Sequence, residues 1–205
     1  MTAIRLPAQP VAALLVGAWI GLAAGVATAC LQGVFSSDWN TVANSGAVWT
    51  AVAFAATLAL TRTPAVAAAV GLLALIGEVV GYYVYAVEVL HMPVMRSAVV
   101  LWTVAALWIG PLTGFTAFHA RWSRGWRQMA ALCALAGVIA GEGAYLIRVA
   151  GVPRSGWVEV AVAGVLVVAA VAVGRAPARG RLVALSAGMV AAAAVYAAYR
   201  LLAIG

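Results

Sequence analysis

Lysine is absent from this chain and carboxylates are scarce: twelve arginines, five acidic side chains and two histidines carry all the side-chain charge of 205 residues. With 8% charged and 66% hydrophobic residues and a mean hydropathy of +1.09, water cannot be its main solvent. Cysteine is almost missing as well. Cys30 and Cys133 both fall inside apolar runs, which excludes a disulfide framework and offers no metal-ligand spacing. His91 and His119 stand alone at expected helix ends. No Asp-rich magnesium motif, Gly-rich phosphate loop, Ser-His-Asp set or haem motif is present, so neither metal nor cofactor is expected. The arginines lie singly or in threes between apolar runs. They form no face that could track a phosphate backbone, and nucleic acid is not expected as a partner.

What remains is long apolar stretches rich in Ala, Leu, Val and Gly. They are continuous rather than alternating, and lipid offers no water to unpaired backbone, so helices are expected over a barrel. A bilayer core about 30 Å thick takes roughly 20 residues per helix, leaving room for seven spans and no soluble domain. The expected fold class is an all-α integral membrane protein, a seven-transmembrane-helix bundle forming one domain over 1–205. Its spans are expected at 11–34, 44–61, 65–88, 97–119, 128–149, 158–173 and 182–202. The first is too long for a signal-peptide core and lacks a convincing cleavage site, so it counts as a helix. Short links with breaker residues imply antiparallel neighbours. Arg5, Arg62, Arg121, Arg124, Arg127, Arg175, Arg179 and Arg181 share one side, against Arg96, Arg148, Arg154 and Arg200. The positive-inside rule then makes the N-terminus cytoplasmic and the C-terminus external, in a multi-pass protein of the plasma membrane.

The chemistry is expected at the buried acids. Glu78 and Glu142 sit well inside the third and fifth spans, where an ionised acid costs about 2.5–3.5 kcal/mol on insertion scales. Both spans run outward in this topology. Glu78 lies about 20 Å into its span at 1.5 Å per residue, and Glu142 lies at a similar depth. Each carries a Tyr one turn on, Tyr82 and Tyr145, and the stretches Gly77-Glu78 and Gly141-Glu142 echo one another. Trp49, Trp102, Trp108 and Tyr196 fall towards the same side, deep enough to line a pocket. Trp39, Trp122, Trp126 and Trp157 fit an interfacial belt instead. Asp38 lies in the first external loop, as a turn residue or an external proton source. Asn44 is placed to cap the second span and to reach the pocket, and Arg148 to pair with Glu159 near the outer mouth as a gate.

Apolar surroundings favour the neutral form of a carboxyl group, and aromatic faces attract carbocations. An acid, a base and an aromatic cage suit acid-started cyclisation of a lipophilic polyene. With seven spans, about 200 residues, and the segments Gly77-Glu78-Val79-Val80-Gly81-Tyr82-Tyr83 and Gly141-Glu142-Gly143-Ala144-Tyr145, the chain resembles the small bacterial membrane-bound terpene cyclases of indole-sesquiterpene and drimane-type pathways. The resemblance implies a metal-independent cyclase that protonates an epoxide or alkene of a prenylated small molecule, with carboxylates as acid and base. A proton- or ion-coupled transporter is the rival reading. An odd span number and the lack of visibly interrupted helices weigh against it. An accessory subunit, in which the glutamates only bind helices together, is the third. The oligomeric state stays open.

Overall fold

A computed structural model describes residues 10–35 and 37–202. All regular structure among them is helical: α1 (Pro10–Gln32), α2 (Ser37–Ala43), α3 (Gly46–Leu60), α4 (Pro64–Glu88), α5 (Arg96–Trp122), α6 (Trp126–Tyr145), α7 (Pro153–Val173) and α8 (Ala178–Leu202). A π turn, Leu146–Ala150, extends α6. Seven of these stretches are long and apolar enough to cross a membrane, with α2 from Trp39 and α3 counted as one. The expected number of spans is therefore met, and their ends agree to within a few residues, with two exceptions.

The first is 37–43, expected as a loop, which winds as α2 and is parted from α3 at Asn44 and Ser45. The second is the segment Pro153-Arg154-Ser155-Gly156, expected as a breaker and found as the first turn of α7. Proline fits there because the first helical residue has no intrahelical use for its N–H; Pro64 opens α4 in the same way. Pro111 sits inside α5 without ending it, as spans of apolar composition tolerate. Gly151, at φ +72°, ends the π turn in the left-handed region that favours glycine.

The helices form two compact units. One holds α1, α4, α3 from Trp49 onward and α5 as far as Phe118. Here α4 packs against α1, with side chains such as Val70 filling one end of the seam and backbone meeting backbone further along. A Cβ on Gly21 or Gly25 would enter the backbone carbonyl of Ala74 or Glu78, and one on Gly77 would lie 2.6 Å from the Ala18 carbonyl. On its other side α4 meets α5 at Gly71, Gly110 and Gly114. Trp49, Ala53, Ala74, Leu75, Val79 and Ala106 form the core.

The second unit holds α2, the first turn of α3 through Val48, the end of α5, and α6 to α8. Its centre is α6, packed on α7 and α8. Gly137 lies against the Gly188 backbone, Gly143 faces Gly156, and Met129, Cys133, Ala170, Ala176 and Ala184 fill the inner end.

Polarity is inverted relative to a soluble protein. Valines and leucines such as Val165, Val168 and Leu182 are exposed, whereas Glu78, Glu142, Glu159, Ser45, Ser155 and Thr57 are buried. That distribution suits an apolar solvent, in which small residues let helices approach and dispersion replaces the hydrophobic drive.

Gly21→Leu should separate α1 from α4 and lower the thermal midpoint in detergent by roughly 5–10 °C. Gly164→Leu should leave it unchanged, because a Cβ there meets nothing within 4 Å. Equal midpoints in the two variants would refute backbone contact as the basis of the α1–α4 seam.

Candidate functional site

The first unit contains Glu78, fully buried, with neither carboxyl oxygen accepting a hydrogen bond among the described residues. Its neighbours on the same face of α4 are Ala74, Leu75 and Tyr82, all part of or packed on the aromatic core. Trp49 stands 5.8 Å from Tyr82 and 5.8 Å from Trp102, ring centre to ring centre. Tyr83 meets Tyr82 edge-on at 5.0 Å. Two polar side chains of α1 set the rings. The Trp49 indole N–H donates to Thr28 Oγ1 at 3.2 Å, and Tyr82 hydrogen-bonds the Gln32 side chain. Sequence reasoning thus brought together Glu78, Trp49, Tyr82 and Trp102. Trp108 departs from it: the side chain is 73% exposed and is not part of the aromatic cluster.

The second unit is built around the start of α3. The Ser45 hydroxyl accepts from the Val48 N–H at 3.1 Å, which makes Ser45 the N-cap. Asn44, expected in that role, precedes it in the turn after α2 and is half-buried. The next N–H groups have no helical acceptor and are buried, so they need one from elsewhere. Glu142 supplies it: Ala47 N–H donates to its Oε2 at 2.6 Å, and the Gly46 N–H, the Ser45 hydroxyl and the Tyr199 hydroxyl also hydrogen-bond this carboxylate. Among the described residues, four donors converge on Glu142.

Beside it lies Glu159 on α7, 5% exposed. Its oxygens accept no well-formed hydrogen bond among the described residues, although Ser45 and the Glu142 carboxyl are its near polar neighbours. The expected hydrogen-bonded pairing of Glu159 with Arg148 is not formed. Arg148 belongs to the π turn and is exposed; six residues beyond Glu142, it lies off the helical face that Glu142 occupies. Tyr145 is buried and stacks at 5.1 Å on Tyr199. Tyr196, one turn earlier on α8, is half-buried. The backbone of Asp38 lies in α2 rather than in a loop; its side chain lies outside the described residues, as does Arg5.

Ser45 and Tyr199 were missed from sequence. Glu159 was expected at the outer mouth beside Arg148 and not beside Glu142. Glu142 and Glu159 thus form a pair of neighbouring buried carboxyls. No group of three or more His, Cys, Asp or Glu stands close enough to hold a metal ion among the described residues.

The two glutamates should respond oppositely to neutral replacement. Glu142→Gln sets an amide NH2 against donors and should cost about 2 kcal/mol, lowering the thermal midpoint by roughly 5 °C. Glu159→Gln removes a group without donors and should hold or raise it. Equal losses would refute the distinction.

No curated protein and no solved structure matches the chain. Residues 4–204 match a family model over almost the entire length, and the chain therefore belongs to DUF6518, a family of unknown function.

Proposed function

We propose that this chain is a multi-pass protein of the plasma membrane, N-terminus cytoplasmic, that couples binding and release of a proton at Glu142 and Glu159 to movement of a solute across the bilayer. The observation that carries this reading is the asymmetry of the pair. Glu142 accepts from the Ala47 N–H and is reached by three further donors, whereas neither oxygen of Glu159 beside it accepts a well-formed hydrogen bond among the described residues, and in this reading Glu159 takes the proton. Two local irregularities support it. The span that begins at Trp39 is interrupted at Asn44 and Ser45, so that a helix N-terminus faces a carboxylate in mid-chain, an arrangement used by carriers for ion and substrate sites. The π turn begins one turn after Glu142, and such turns recur at functional positions. Neither irregularity is visible in the apolar pattern, which is why the sequence alone argued against a carrier.

A rapid pH step applied to proteoliposomes on a solid-supported membrane should give a transient charge displacement in the wild type. It should fall at least about tenfold in Glu159→Gln, since one proton-binding carboxyl is lost. An unchanged transient in that variant, or none in folded wild type, would leave the pair as structural glue.

A second reading rests on a different observation, the aromatic group Trp49, Tyr82 and Trp102 on the helical face that carries Glu78. In a terpene cyclase of the kind the sequence resembles, Glu78 as a neutral acid would protonate an epoxide or alkene of a prenylated substrate. The rings would face the carbocation, and a carboxylate would take the final proton after carbon–carbon bond formation. Membranes supplied with farnesyl-bearing aromatic compounds, with and without a terminal epoxide, should then yield a product isomeric with the substrate from wild type and not from Glu78→Gln. Absence of conversion by folded wild-type protein would remove this reading.

A further inference from the structure

Half of the arginines in the chain lie in two short segments of the second unit. Arg121, Arg124 and Arg127 span the α5–α6 link, and Arg175, Arg179 and Arg181 the α7–α8 link. No acidic residue lies in either; the five are Asp38, Glu78, Glu88, Glu142 and Glu159. The two links touch. A Cβ on Gly125 would lie 3.6 Å from the Arg175 carbonyl, and one on Gly180 would lie 2.8 Å from the Trp126 side chain. The six arginines are exposed on this joined surface.

Two features distinguish the surface from scattered topology-setting charge. Trp122 and Trp126 are exposed between the arginines, and each has a guanidinium over its ring, Arg121 at 5.2 Å and Arg127 at 5.6 Å. Amphipathic indoles at the ends of apolar helices sit at headgroup depth, so the stacked arginines are held at the level of lipid phosphates. Arg181 is fixed as well, its Nε–H donating to the Ala176 carbonyl at 3.0 Å.

We propose that this surface binds the headgroup of a two-phosphate anionic lipid of the cardiolipin class. One phosphate satisfies at most a pair of guanidinium forks, whereas six exposed arginines on one continuous surface, with no acidic residue in either link, call for several phosphate oxygens at lipid depth. A zwitterionic headgroup would bring its own ammonium into this field. The inference rests on the chain spanning a bilayer and not on what Glu142 and Glu159 do, so failure of proton coupling leaves it intact.

The test is native mass spectrometry of the full chain, released from detergent containing equal amounts of tetraoleoyl cardiolipin, dioleoylphosphatidylglycerol and dioleoylphosphatidylethanolamine. The wild type should retain cardiolipin at least about tenfold over phosphatidylethanolamine. Two paired variants, Arg124→Gln with Arg127→Gln and Arg175→Gln with Arg179→Gln, should each lose roughly 25-fold in cardiolipin retention, about fivefold per charge removed near a membrane surface. Arg96→Gln with Arg154→Gln, at the opposite helix ends, serves as the matched control and should keep it. Equal retention of the three lipids, or an equal loss in the control, overturns the proposal. So does displacement of bound cardiolipin by millimolar inorganic pyrophosphate, which would make the ligand a soluble diphosphate. Phosphatidylglycerol retained as strongly as cardiolipin would refute the two-phosphate requirement. Monodisperse elution and unchanged helical circular dichroism confirm that each variant is folded.

Discussion

A helix that begins inside an apolar medium leaves N–H groups that no water reaches, and the bond from Ala47 N–H to Glu142 Oε2 answers that need for α3. The second unit is arranged around it. Ser45 caps the same turn, Tyr199 reaches from α8 to the same carboxylate, and Tyr145 stacks on Tyr199. Glu142 thus ties α6, the start of α3 and α8 together through one group. The cost of burying it is offset in part by its four donors, whereas the oxygens of Glu159 accept no well-formed hydrogen bond among the described residues.

Glu78 in the first unit is a different case. It is fully buried and its carboxyl oxygens accept no hydrogen bond among the described residues, which suits a neutral acid. The resemblance between Gly77-Glu78 and Gly141-Glu142 is therefore one of packing and not of chemistry. In each pair the glycine admits a neighbouring helix, Ala18 of α1 in one and Ala192 of α8 in the other, while the glutamates that follow are solvated by opposite means.

The sequence carried the number of spans and most of their ends, because apolar length is a property of composition and every link is short. It also brought out Glu78 with Trp49, Tyr82 and Trp102, since burial of an acid and helical spacing are local facts. It did not carry the break before α3, the π turn or the role of Ser45. These depend on which residue of Asn44-Ser45-Gly46 takes the cap and on one extra residue wound into α6, which leave the apolar pattern unchanged. Glu159 was paired with Arg148 because both lie near the same ends of neighbouring helices, whereas its near polar neighbours are Ser45 and Glu142.

The α1–α4 seam has a consequence for assembly. Where Gly21 and Gly25 meet the carbonyls of Ala74 and Glu78, there are no rotamers to freeze when the helices join. Long side chains lose up to about 2 kcal/mol each in such ordering. In lipid, where water gives no push towards association, a surface already rigid before contact can form on weak attraction alone. The pair α1–α4 is therefore suited to come together early, while the chain is still entering the bilayer.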